Sequence, residues 1–377
     1  MKVTSTTRSA LVAVSALITA CMTGPTGADP GSEDGETVNV GSSTSTTLVT
    51  GAATGNRDAS SADVSGTGDS GSETSEGLVE PDPACPSFLL DPAVIDVDSH
   101  FAVGLCNSDE DCGVEQSNCS ATLIAPNLVL TARHCVDRGI QPAQNFCDAS
   151  FLDIVDPDTI FVTTHPDPYN TDEPGWVGAS EILLPPDGDT VCDFDIALVV
   201  LERSMTPEEA EPATVDLNRS LVQEAPQCGF AIAGRGARAV ELVGVGENTY
   251  YAEIVDDGDL RRRLAVGLPL LCASDDDDAC LIEDITDPSG TFVSTPTQVI
   301  IGPAVLPGDS GSGVLDQERL SRGEAVVVAV AHAGTYGVDE EPNSTLGIRV
   351  EVHAQFLRDG VATAAEAGSY PLPDWAR

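Results

Sequence analysis

An all-β fold follows from three features of this 377-residue sequence. Short Val/Ile/Leu-rich runs recur, the clearest at 128–130, 196–201, 299–301 and 325–330. Glycine (35) and proline (25) are frequent between them, as expected where the chain turns often. Helical periodicity is rare, with one amphipathic stretch near 352–365.

Taken in order, the chain begins with a targeting pattern. Lys2 and Arg8 precede an apolar run from Ala10 to Ile18 that is too short to cross a bilayer. Ile18-Thr19-Ala20-Cys21 resembles a bacterial lipobox, which implies a lipoprotein signal peptide over 1–20, lipid attachment at Cys21 and membrane tethering. Several acyl chains, at about 0.8 kcal/mol per buried CH₂, would anchor the chain firmly. Met22 after that cysteine points to the outer membrane by the enterobacterial sorting rule. An ordinary secretory signal is the alternative. Residues 21–84 read as a linker: 22–84 hold eleven acidic residues, one arginine and no aromatic residue. Such a segment cannot bury enough apolar surface to order itself, and as a flexible chain it would reach about 40–50 Å. The expected location is extracytoplasmic, at a bacterial outer membrane or cell surface, or else secreted.

Formal net charge is −44, and Lys2 is the only lysine. This excludes a basic nucleic-acid-binding patch and electrostatic docking on anionic lipid. Asp275 to Asp278 and Asp109-Glu110-Asp111 are candidate Ca²⁺ ligands, but neither follows the EF-hand loop, and no cofactor is expected. Eleven cysteines leave ten once Cys21 is set aside, an even number suited to disulfides in an oxidising compartment. Cys272 with Cys280 and Cys106 with Cys112 each could close a short loop; Cys147–Cys192 and Cys85–Cys228 remain by elimination. No CxxC or HExxH spacing supports a metal site.

The remaining residues, 85–377, carry the chemistry. Gly308-Asp309-Ser310-Gly311-Ser312-Gly313 sets a serine in a tight turn after the apolar run Val299-Ile300-Ile301 and before Val314-Leu315. A serine acts as a nucleophile only when a base takes its proton and donors meet the oxyanion. The amides of Gly308 and Ser310 are the expected donors, His134 in Thr131-Ala132-Arg133-His134-Cys135 the expected base, and Asp195 before Ile196-Ala197-Leu198 the carboxylate. Asp193 competes for that role because residues two apart share a strand face. Gly68-Asp69-Ser70-Gly71 repeats the serine string within the linker without any flanking apolar run.

The order His134, Asp195, Ser310 and these strings resemble the chymotrypsin/trypsin-like serine proteases. So do His165-Pro166-Asp167-Pro168-Tyr169-Asn170, Val243-Gly244-Val245-Gly246 as the segment opening a second barrel, and Gly347-Ile348-Arg349-Val350 leading to Phe356-Leu357. The resemblance implies two six-stranded antiparallel β-barrels and a C-terminal helix. It also implies a Cys119–Cys135 disulfide around the hairpin that turns at Pro126-Asn127, and peptide-bond hydrolysis through an acyl-enzyme. Arg133, in place of the family's usual small residue, is expected to point outward.

Specificity and activation are read by the same resemblance. Ala304 and Val305 stand at the base of the substrate pocket, so cleavage after Arg or Lys is not expected. Val330-Ala331-His332-Ala333-Gly334 occupies the place of the substrate-binding strand; His332 there resembles a glutamyl endopeptidase histidine that binds an acidic P1 side chain, against a small or apolar P1. Leu306 replaces a cysteine found in many members. Family zymogens release an amine that pairs with the Asp before the nucleophile, here Asp309; Pro92-Ala93-Val94-Ile95 is only a loose match to the released terminus. A buried Asp309 therefore needs some other cation or donor. The expectation from another class is a catalytically silent protease-fold binding or adhesion module on a lipid stalk.

Overall fold

The computed structural model describes residues 96, 98–108, 112, 117–143, 146–168, 171, 175–246, 249–256, 261–276, 279–284, 291–337 and 341–377. The signal peptide, Cys21, the linker with its Gly68–Gly71 string, Cys85, Pro92 to Ile95, Asp109 to Asp111, Tyr169-Asn170 and Asp277-Asp278 lie outside these residues.

Six strands form a closed antiparallel barrel. They are β1 (Ala102–Asn107), β2 (Ser117–Ala125), β3 (Leu128–Thr131), β4 (Ile160–Thr163), β5 (Val177–Leu183) and β6 (Ala197–Leu201). The ring runs β1-β2-β3-β6-β5-β4. β3 and β6 are buried along their whole length, which explains why their sequences are continuous apolar runs rather than alternating ones. The β2–β3 hairpin turns at Pro126-Asn127 as the sequence indicated, with Leu123 opposite Val129.

The second sheet holds β7 (Phe230–Gly234), β8 (Arg263–Leu268), β9 (Leu270–Ala273), β10 (Gln298–Ile301), β11 (Gly313–Asp316), β12 (Val326–Tyr336) and β13 (Pro342–Arg349). Its order is β8-β7-β11-β12-β13-β10-β9, and Thr214–Val215 adds to β12 in parallel. The expected second closed six-strand ring is thus met in modified form. β8 and β9 are consecutive and joined at Pro269, whose missing N–H interrupts a ladder. One bent segment therefore pairs with β7 through its first half and β10 through its second, and the sheet curls back on itself. Phe230, Ile232, Val299, Ile301, Val314 and Ala329 fill its interior.

Two points correct the sequence reading. Residues Ala239–Gly246 do not open the second barrel; they pair with Thr249–Asp256 as a separate hairpin, and Phe230–Gly234 opens it instead. Arg133 does not face outward. It is buried over the Phe151 ring at 4.6 Å, donates to the Gly188 carbonyl at 3.1 Å and lies 3.7 Å from Asp137. Asp275, largely exposed, lies 3.0 Å from Arg349.

The helix Ala354–Gly368 buries Leu357, Val361 and Ala364, one stripe at helical spacing, and ends at Ser369 in the left-handed conformation. Among the described residues no helix is long and apolar enough to cross a membrane. Disulfides join Cys106–Cys112, Cys119–Cys135, Cys147–Cys192 and Cys272–Cys280; Cys228 is also disulfide-bonded. Cys147–Cys192 closes a 45-residue loop, worth about 4 kcal/mol of denatured-chain entropy, and it clamps the turn immediately before Asp195.

Candidate active site

His134 sits in the short 3₁₀ turn Arg133–Cys135 that follows β3, pinned on one side by the Cys119–Cys135 disulfide. Asp195 leaves the turn Val191–Phe194 just before β6. Strands β3 and β6 are neighbours, with Thr131 opposite Ala197, so the two residues meet at one end of the first barrel. Asp195 Oδ2 accepts from His134 Nδ1 at 2.7 Å, and Oδ1 accepts from the His134 backbone amide at 2.9 Å. Asp193 is occupied elsewhere: Thr190 Oγ1 and Thr297 Oγ1 donate to it, and Asp195 is the carboxylate that faces His134.

Burial alone would raise the Asp195 carboxyl, which is 1% exposed. The charge and hydrogen bond of His134, with a smaller contribution from the neighbouring His332, overcome this and hold it well below the usual carboxylate range. His134 responds in the opposite sense. Burial would lower it, but Asp195, with a smaller contribution from Asp137, lifts it above its ordinary value of 6.5. The pair is thus a fixed carboxylate beside an imidazole that readily accepts a proton.

Ser310 lies on the turn between β10 and β11, bolted to both sheets. Its carbonyl accepts from the Ser120 amide of β2 at 2.8 Å, and Cys135 Sγ is 3.7 Å from the same oxygen. The next amide, Gly311, donates to Ala331 of β12 at 2.7 Å. Gly308 and Gly311 have φ of +96° and +87°, values that side-chain-bearing residues rarely adopt, and a Cβ at Gly311 would fall 2.1 Å from the Ser120 carbonyl oxygen. Among the described residues neither the Gly308 amide nor the Ser310 amide donates a hydrogen bond, so both remain available. Ser310 Oγ likewise makes no hydrogen bond to the described residues.

Asp309 has internal partners after all. It is buried, with Oδ1 accepting from the Gly236 amide at 2.6 Å and Oδ2 from the Leu306 amide at 3.1 Å. Burial pushes its carboxyl up, while the Arg263 guanidinium and the surrounding amides pull against this. Arg263 is itself held on the Gly236 and Ala237 carbonyls. Gly234 and Gly236 leave the space that Asp309 fills, since a Cβ at Gly236 would lie 2.3 Å from Asp309 Oδ2. Gly236→Ala is therefore expected to displace the loop, costing about 1–3 kcal/mol of stability through overpacking. A lowered urea midpoint, together with slower reaction of Ser310, would check this; an unchanged protein would show that the loop does not depend on the contact.

Ala304 and Val305 lie together beside Gly334. Both amides donate to Thr345 Oγ1, at 3.0 and 3.2 Å, and Gly334 packs close to the Val305 carbonyl. His332 does not join them. Its side chain is fully buried, with Nδ1 3.3 Å from Asp195 Oδ2 and Nε2 2.9 Å from Gln298 Nε2, so the expectation that it meets a P1 side chain is corrected. It is turned away because β12 presents it to the interface between the sheets.

Ser120, Gly236, Arg263 and Gln298 were not singled out in the sequence. Ser120 Oγ donates to the Gly308 carbonyl and accepts from the Arg235 amide, tying the serine loop to the first barrel. Its position beside Cys119 was the only available signal. Cys119, His134 and Cys135 cluster closely, but both sulfurs are spent in the disulfide and offer no thiolate to a metal.

Residues 98–240 match the family model described as Trypsin, a stretch that includes His134 and Asp195 and ends before Ser310. The matched stretch spans all six strands of the first barrel. Among solved structures the chain is similar to the scabies mite inactivated protease paralogue S-I1, at 18% identity and a TM-score of 0.45, covering 70% of this chain and 95% of that one. It is also similar to the scabies mite inactivated protease paralogue S-D1, at 13% identity and a TM-score of 0.40, covering 70% of this chain and 93% of that one. No curated protein matches the chain.

Proposed function

We propose that this chain is a serine endopeptidase with His134, Asp195 and Ser310 as its catalytic residues. The observation that carries the proposal is the double hydrogen bond from His134 to a buried Asp195, with Ser310 tied by its carbonyl to the same barrel. Ser310 Oγ attacks the peptide carbonyl while His134 Nε2 takes its proton. The Gly308 and Ser310 amides receive the oxyanion, each such donor typically contributing about 3 kcal/mol. His134 then passes the proton to the leaving amine, and water, deprotonated by the same ring, releases the acyl group. Ser310–His134 hydrogen bonds of this kind commonly tighten only when substrate is bound.

Ala304, Val305 and Gly334 support a small or apolar P1 side chain, because no acidic group lies among them to pair with Arg or Lys. The internal partners of Asp309 support activity without cleavage near residue 93. The signal-peptide and linker readings extend the proposal to an enzyme outside the cytoplasm, tethered through Cys21.

A fluorophosphonate probe tests this on the full chain without prior processing. An adduct mapped by peptide mass spectrometry to Ser310 is the expected result. Failure to label, before and after trial processing near residue 93, would favour the silent binding module instead. The labelling rate should rise with pH as His134 loses its proton. Since its folded pKa is raised, the midpoint should lie above 6.5. A midpoint below that value would show that Asp195 does not act on the base as the geometry indicates.

A further inference from the structure

The triad carboxylate has a second histidine against it. We propose that Gln298 and His332 form a positioning pair for Asp195, in which Gln298 holds His332 as the neutral Nδ1–H tautomer and that N–H faces Asp195 Oδ2. The proposal rests on the protease reading for its kinetic consequence, but its chemical content stands on the hydrogen bonds alone.

The assignment begins at Thr295. Its amide donates to Gln298 Oε1 at 2.9 Å, which commits that end of the side chain to accepting. The other end, Nε2, can only donate, and it lies 2.9 Å from His332 Nε2. Two N–H groups cannot face each other, so His332 Nε2 must present its lone pair. The ring's proton is then on Nδ1, 3.3 Å from Asp195 Oδ2. This contact is longer and more bent than that of His134 and acts electrostatically. A proton on His332 Nε2 would be set against the Gln298 amide N–H.

The pair also crosses the interface. Gln298 is on β10 and His332 on β12, whereas Asp195 and His134 belong to the first barrel. Thr295 Oγ1 donates to the Cys192 carbonyl, and the Thr297 hydroxyl is shared between that carbonyl and Asp193 Oδ1, so the same segment grips the turn that delivers Asp195. The charged or titratable groups around this network among the described residues are Asp195, His134 with Asp137 behind it, Asp193 with His353 beside it, and Arg349 on the Pro296 carbonyl. Asp195 thereby faces the His134 amide, the His134 ring and the His332 ring.

The test uses the full chain with ¹⁵N-labelled histidine. The expected spectrum shows His332 as Nδ1–H, with Gln298→Leu allowing the other tautomer. An Nε2–H ring in the unmodified chain overturns the proposal. In parallel, His332→Ala should slow fluorophosphonate labelling about 10- to 100-fold, the scale of a small misplacement in a catalytic group. Its acid limb should move to higher pH, because a carboxylate with one donor fewer raises the basicity of His134. His332→Asn, which returns an N–H near the Nδ1 position, should restore both. Equal losses in the two variants with no movement of the limb would mean that His332 only fills space, and would also overturn the proposal. A chain that shows the Nδ1–H tautomer but never labels would remove the protease reading and support the tautomer assignment.

Discussion

Ser310→Ala is expected to abolish fluorophosphonate labelling and to lower peptide hydrolysis by about 10⁶-fold, while leaving the fold in place. The two halves of this expectation have separate causes. The hydroxyl makes no hydrogen bond to the described residues, so removing it should change stability by less than about 0.5 kcal/mol. The groups that hold the turn are backbone ones: the Ser310 carbonyl on the Ser120 amide and the Gly311 amide on Ala331. These survive the substitution. The activity left over would come from the two free amides of Gly308 and Ser310 and from substrate binding. Thermal unfolding and a peptide-hydrolysis assay on the same preparation separate the outcomes. Retained hydrolysis would mean that another group is the nucleophile, and a collapsed fold would mean that the hydroxyl has an unrecognised structural partner.

Asp195→Asn is expected to cost about 10⁴-fold in the labelling rate, also with the chain folded. Both carboxylate oxygens are committed as acceptors, Oδ1 to the His134 amide and Oδ2 to His134 Nδ1. An amide has one acceptor and one donor end. If its oxygen keeps the backbone amide, its NH₂ faces His134 Nδ1, which must then give up its proton and carry it on Nε2. That tautomer cannot take the proton of Ser310. If the amide flips, its NH₂ opposes the backbone N–H, and a buried donor is left unpaired, at about 1–3 kcal/mol. Histidine NMR distinguishes the first case from the second, and a variant that labels at the original rate would remove Asp195 from the mechanism.

How much of this was legible in the sequence follows from how far apart the partners lie in the chain. The β2–β3 hairpin, the apolar runs of β3 and β6 and the late helix are patterns between near neighbours, and each was legible. So were His134, Asp195 and Ser310, which stand in compact strings, and four of the disulfide pairs. The misreadings share a cause. Val243–Gly246 resembles a barrel-opening segment as a string, yet the glycines that matter are Gly234 and Gly236, because only they leave room for Asp309. Arg133 was expected to point outward because a long charged side chain usually does, but Asp137, the Gly188 carbonyl and the Phe151 ring together accommodate it inside.

Two residues mark the boundary. Asp309 lacked any visible partner in the sequence, since Gly236 and Arg263 are remote in the chain and neither belongs to a motif; folding β7 and β8 against the serine loop supplies both. His332 looked like a pocket residue because Gly334, two positions on, would share its face on a regular strand. β12 is bulged between Ala331 and Ala333, however, and His332 at the bulge meets Asp195 and Gln298. The amino-acid sequence by itself determined the class of fold and the order in which the candidate reacting groups occur along the chain. The tertiary structure decided which buried polar group satisfies which. A short string can specify a turn or a nucleophile, but the partner of a buried charge is whatever distant segment packing brings within about 3 Å of it.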